Sequence, residues 1–184
     1  MKNNRDRASA LTYAAFIAAA YVVLTLALAP ISYGALQFRL SEVLCILPFF
    51  IPGASTGLLV GCLIANVFSG NALDIVFGSL ATHIAALITA FCGRKGRSVG
   101  YMAAGCAAPV VINAVVVGCV ITRGFIGLPL KNHFPAYLLN ILQVGLGETV
   151  VLFGIGLPLM LYLSKKSIFE KISTHILPEK TEEN

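Results

Sequence analysis

Charged residues interrupt this chain only at wide intervals, and the stretches between them are apolar. Residues 8–38, 43–73, 75–93 and 98–122 contain no Asp, Glu, Lys or Arg, and the run between Lys131 and Lys165 contains one, Glu148. About 20 consecutive apolar residues suffice for a helix to cross a bilayer. Turn-forming residues divide the runs into six segments, 8–29, 41–51, 54–68, 74–91, 101–121 and 135–163, with Pro52-Gly53 between the second and third and Ser69-Gly70-Asn71 closing the third. The second segment is short for a span even when residues 36–40 are added, so it tilts or crosses incompletely. The pattern predicts an all-α membrane protein. Residues 1–164 form a single compact bundle of six transmembrane helices, and 165–184 form a polar tail ending in a disordered stretch, 179–184.

Composition narrows the class. The chain has 184 residues, of which 58% are hydrophobic and only 11% charged, against about 25% charged in a typical soluble domain. Such a chain cannot cover a water-facing surface. The net charge of +5 reflects orientation rather than nucleic-acid binding, because the basic residues sit at the ends of the apolar segments. With six spans, Lys2, Arg5, Arg7, Arg94, Lys95, Arg97, Lys165, Lys166, Lys171 and Lys180 share one side, and Arg39, Arg123 and Lys131 the other. The positive-inside rule then places both termini in the cytoplasm. The first apolar run is too long for the core of a cleaved signal peptide and reads as a retained span. The cysteines, Cys45, Cys62, Cys92, Cys106 and Cys119, show no CxxC and no His-plus-Cys grouping, so neither a disulfide nor a metal site is expected.

The polar residues within the runs are the candidate chemistry. A carboxylate near the middle of a span is unfavourable by roughly 2.5–3.5 kcal/mol on insertion scales, so Glu148 is expected to face the interior and serve a site. Gln37, Arg39, Ser41, Glu42, Asn66, Asp74, Asn140 and Gln143 fall in the outer half of the predicted topology, with Asn113 and Glu148 deeper. That distribution suggests a pocket open to the outside. A channel or proton relay would need polar groups through the full depth. Alternatives stay open at several positions. Arg39 and Glu42 can pair across one helical turn. Asp74 can cap the fourth helix or contact a ligand. Glu148 can pair with Arg39 or Arg123, or contact a ligand. His83 is a packing residue or a relay member. Gly145 and Gly147 allow close helix approach or leave room for a ligand. In the first span Ala10, Ala14 and Ala18 recur every four residues, as do Ala15 and Ala19; such small-residue rows suit close helix contact, either within the chain or with a separate membrane subunit.

Several blocks resemble the QueT family: the Ala-rich first span, Pro30-Ile-Ser-Tyr-Gly-Ala-Leu-Gln-Phe-Arg-Leu-Ser-Glu42, Leu47-Pro-Phe-Phe, Gly57-Leu-Leu-Val-Gly-Cys-Leu-Ile-Ala-Asn66, Leu73-Asp-Ile-Val-Phe-Gly-Ser-Leu-Ala-Thr82, Pro109-Val-Val-Ile-Asn113 and Gly145-Leu-Gly-Glu148. The likeness covers about 8–163. It implies the substrate-binding (S) component of an energy-coupling factor (ECF) transporter in the bacterial plasma membrane. Such a subunit is not an enzyme. It binds a queuosine precursor, a 7-deazaguanine such as preQ0, preQ1 or queuine, from outside. It docks through its Ala-rich first helix (Ala10, Ala14, Ala15, Ala18, Ala19) on a transmembrane coupling subunit that is driven by two ATPase subunits. The chain has no GxxxxGK[ST] motif, so ATP hydrolysis falls to the partners, and no cofactor is implied. Glu42, Asp74 and Glu148, with Asn66, Asn140, Gln143, Asn113, Arg39 and Gln37, supply donors and acceptors for a guanine-like ring, and Tyr33, Phe38 and Phe77 can stack on it. The rival readings are an S-component for another vitamin such as thiamin, a self-sufficient secondary transporter, and a membrane enzyme.

Overall fold

The computed structural model describes residues 2–34, 36–51, 53–129 and 132–165, with side chains from Arg7 onward. The tail after Lys165, the disorder expected at 179–184, and Lys131 lie outside the described residues. Helix α1 covers Lys2–Ala27, followed by a single helical turn, Ala29–Ser32, and an irregular loop, 33–39. Helix α2 is Leu40–Phe49, α3 is Ala54–Val67, α4 is Asp74–Lys95, α5 is Val99–Phe125 and α6 is Phe134–Ser164. The described residues contain no strand.

Among the described residues, four helices are long and apolar enough to cross a membrane: Arg7–Ala27 within α1, and α4, α5 and α6. The other two predicted segments are shorter. Helix α3 has 14 residues, and α2 is a 10-residue 3-10 helix with Pro48 inside it. At a rise of about 2.0 Å per residue, α2 is about 20 Å long, short of the roughly 30 Å hydrocarbon layer. Its sequence explains its place. Ser41, Glu42, Cys45, Ile46, Pro48 and Phe49 are all buried, so α2 lies inside the bundle, packed chiefly on α4 and α1. Runs of 3-10 helix this long are uncommon, because their hydrogen-bond geometry is poorer than that of an α-helix.

The long helices contain wide π-type turns: Asp74–Gly78 opens α4, Ile121–Phe125 closes α5, and Leu152–Gly156 interrupts α6. Pro158 follows the last of these. Having no N–H, it cannot continue the regular ladder.

Glycines determine the closest helix approach. A Cβ on Gly61 of α3 would lie 2.8 Å from the Ala18 carbonyl oxygen of α1, and Gly57 meets the Ala14 carbonyl in the same way. The backbones of α1 and α3 therefore touch, as small-residue faces permit. This contact divides the alanine rows of α1. Ala18 is buried, and Ala10 and Ala14 are half-buried, so Ala14 and Ala18 already meet a helix of the same chain and Ala10 packs against the core. Ala15 and Ala19 are exposed, beside Leu11 and Phe16. Exposed apolar side chains are also spread over α3, α4, α5 and α6, among them Val67, Phe91, Val111 and Leu142. Polar side chains gather inside, including Thr25, Arg39, Glu42, Asn66, Asp74, Asn113 and Glu148.

Candidate functional site

The polar interior begins in the loop 33–39. Gln37 adopts a left-handed backbone conformation (φ 45°) and is buried, and the Arg39 N–H donates to the Gln37 carbonyl at 2.7 Å. The loop lies directly on α6 at Gly147, where a Cβ would collide with the Leu36 carbonyl oxygen. A residue without a side chain is therefore required one position before Glu148. From this loop Arg39 enters the bundle, 4% exposed. Its Nη1 donates to Asn66 Oδ1 at 3.2 Å, and its Nη2 stands 3.9 Å from Asp74 Oδ2. The Tyr33 ring lies 5.7 Å from the guanidinium carbon, anchored by a bond from its hydroxyl to the Ala65 carbonyl at 2.6 Å. Burial raises the pKa of the Tyr33 phenol above its ordinary value, with the Arg39 charge opposing.

Asp74 is placed by the π turn that opens α4. The cap position is Leu73, which makes no side-chain cap bond, and Asn71 Oδ1 accepts from the Leu73 N–H at 2.9 Å. Asp74 therefore does not serve as the helix cap; it is 1% exposed and turned toward Arg39. Gly78, one turn on, leaves the room that Asp74 Oδ1 and the Asn66 amide occupy. The Asn66 amide in turn donates to the Asp74 carbonyl at 3.0 Å and to Ser79 Oγ at 3.3 Å. The possible Arg39–Glu42 pairing is replaced by this arrangement.

Glu42 is fully buried and accepts from Tyr21 Oη, from Cys45 Sγ at 2.9 Å and from Thr82 Oγ1 at 3.2 Å. Its oxygens are thus occupied by groups from α1, α2 and α4. Beside it, Thr25 and Ser41 share a 2.7 Å hydroxyl bond.

Glu148 projects from α6 toward α5. Asn113 Nδ2 donates to Glu148 Oε1 at 3.2 Å, and Glu148 stands within electrostatic range of Glu42 and Arg39. Its partner is therefore an amide rather than Arg39 or Arg123, and Arg123 is exposed at the end of α5. Asn140 is buried and donates to Thr122 Oγ1 at 2.9 Å, tying α6 to the π turn of α5. Gln143 and Phe38 are half-buried, and Phe77 is half exposed in an apolar cleft with Val120 and Tyr137. His83 bonds the Ser55 carbonyl at 3.1 Å, as a packing residue does. Among the described residues no group of three or more His, Cys, Asp and Glu side chains is placed to hold a metal, and the five cysteines are free thiols.

Four of these residues leave buried polar atoms without hydrogen-bond partners: Arg39 Nε and Nη2, both Asp74 carboxylate oxygens, Asn113 Oδ1 and Glu148 Oε2; the Ser32 hydroxyl is a further case. Each such group typically carries a desolvation penalty of about 1–3 kcal/mol, more when charged, and such groups are rare enough that each calls for an explanation. Their donors and acceptors are complementary to a small polar molecule that offers several N–H groups and a carbonyl. A cleft of about 140 Å³ between the 33–39 loop and the end of α5 is lined by Tyr33, Gly34, Gln37, Ile121 and Phe125, and Tyr33 connects it to Arg39. Larger clefts, such as one of about 420 Å³ lined by Val111, Ala114, Ile141 and Leu146, are apolar and have none of these four residues in their lining.

Tyr21, Thr82, Thr122 and Ser79 join the buried polar network, and the sequence did not single them out. Each looks like an ordinary hydroxyl within an apolar run.

An apolar exterior around an enclosed, incompletely hydrogen-bonded polar centre defines a multi-pass helical membrane protein. Residues 11–165 match the family described as QueT transporter. The chain belongs to that family, as its motif blocks imply. Over 72 residues it is 41% identical to the queuosine precursor transporter QueT of Lactococcus lactis subsp. cremoris (strain MG1363), a match that covers 38% of this chain and 43% of that protein. No solved structure matches.

Proposed function

We propose that this chain is the substrate-binding component of an ECF-type uptake transporter in the bacterial plasma membrane, taking a queuosine precursor from outside the cell. The observation that carries the reading is the set of buried, unpartnered polar atoms on Arg39, Asp74, Asn113 and Glu148. A 7-deazaguanine ring has N–H donors at N1 and the 2-amino group for the carboxylates and a carbonyl for the guanidinium. Family membership and the partial match to a named queuosine precursor transporter support the same ligand class.

In this reading α1 to α6 make up the six-helix bundle, with α2 and α3 as shorter segments and α2 crossing incompletely. The termini and the Arg94-Lys95-Gly96-Arg97 cluster face the cytoplasm, and the Arg39 end faces outward. Energy comes from two ATPase subunits through a transmembrane coupling subunit. Docking would use the exposed side of α1, Ala15 and Ala19 with Leu11 and Phe16, since Ala14 and Ala18 face α3 and Ala10 packs against the core. The unpartnered atoms are closed off from solvent, so ligand entry requires the 33–39 loop to move.

Mass spectrometry of small molecules released from the purified protein tests the ligand. A 7-deazaguanine is expected at near-stoichiometric amounts after growth with one in the medium. Thiamin or another vitamin in its place would overturn the assignment.

A further inference from the structure

We infer that Asn113 and Glu148 form a single reading edge for two adjacent N–H donors, and that this edge distinguishes a deazapurine bearing a 2-amino group from one lacking it. The inference rests on the reading of the chain as a 7-deazaguanine-binding protein and assigns one side of the ring to one pair of residues.

Both side chains are nearly inaccessible, Asn113 at 2% exposure and Glu148 at 4%. An ionised carboxylate only accepts hydrogen bonds, so with Glu148 ionised, as a ligand that offers it N–H donors requires, the 3.2 Å bond from Asn113 Nδ2 to Glu148 Oε1 fixes which way the amide points. One N–H of the amide is committed to Glu148, and Oδ1 remains. Glu148 Oε2 also remains, and neither atom has a partner. The pair therefore presents two free acceptors, Asn113 Oδ1 and Glu148 Oε2. It matches an N1–H beside a 2-amino group. It opposes a ring edge that offers a carbonyl or a bare ring nitrogen, which would leave these buried acceptors unpaired. The Arg39–Asp74 pair differs in kind. Its free atoms include guanidinium nitrogens as well as carboxylate oxygens, so it can take a carbonyl or a charged substituent and is the poorer discriminator of an amino group.

The test is calorimetry on the full chain in detergent, with 7-aminomethyl-7-deazaguanine and the same compound lacking the 2-amino group. The wild type is expected to bind the first roughly 10- to 100-fold more tightly, the usual effect of leaving one charged acceptor unpaired. Glu148→Gln keeps the shape but turns the free acceptor into a donor, and Asn113→Leu removes the other acceptor. Each is expected to reduce the ratio to below about 3-fold. Asp74→Asn weakens both ligands and preserves the ratio. Equal wild-type binding of the two compounds, or an unchanged ratio in a folded Glu148→Gln protein, would overturn the edge assignment while leaving the proposed ligand class standing. If the wild type binds neither compound, the functional reading fails and this inference with it.

Discussion

Glu42 accepts from Tyr21, Cys45 and Thr82, so its charge is already compensated by the fold, whereas Glu148 has one amide and Asp74 only a 3.9 Å approach to Arg39. Three buried acids of the same chemical type thus hold different positions. Glu42 ties helices together; the other two retain free acceptors. Tyr21→Phe should therefore behave as a stability variant, destabilising the protein by about 1–3 kcal/mol, seen as a lower thermal midpoint in detergent with ligand affinity largely kept. A midpoint equal to wild type would show that the Tyr21 bond contributes little. At this scale the sequence identified the residue types but not the partners. Arg39 and Asp74 were individually conspicuous as rare charges in apolar runs, as was Glu148. Their partners were not, because Asn113 and Glu148 meet across two helices and Tyr21 is indistinguishable from a packing aromatic until the bundle is assembled.

At the scale of elements, the charge-free runs located the helices, since an apolar stretch of that length in lipid must satisfy its backbone internally. They did not reveal that α2 is a buried 3-10 helix, because an apolar run of eleven residues with a proline near its end fits several backbone forms. Nor could the alanine spacing of α1 say which row meets α3; that depends on Gly57 and Gly61, which lie on a different helix. A prediction follows from the resulting division. Gly61→Ala brings a methyl against the Ala18 backbone and should destabilise the bundle by about 1–3 kcal/mol. Ala15→Trp and Ala19→Trp lie on the open side and should leave the thermal midpoint and ligand binding intact. Uptake into proteoliposomes reconstituted with the coupling subunits should fall sharply in both Trp variants; wild-type uptake would place the docking surface elsewhere.

For the molecule as a whole, the arrangement is apolar outside and polar within, with the polar groups concentrated where the 33–39 loop, the start of α4 and the middle of α5 and α6 converge. A buried set of unpartnered donors and acceptors destabilises the empty protein, and a matched ligand removes that penalty. The most direct test is the binding isotherm of 7-aminomethyl-7-deazaguanine with the purified chain, measured side by side for wild type and Glu148→Ala, with thermal unfolding as the check on folding. The wild type should bind one equivalent saturably, and Glu148→Ala should bind roughly a hundredfold more weakly or not at all while remaining folded. A folded Glu148→Ala protein with wild-type affinity would contradict the account.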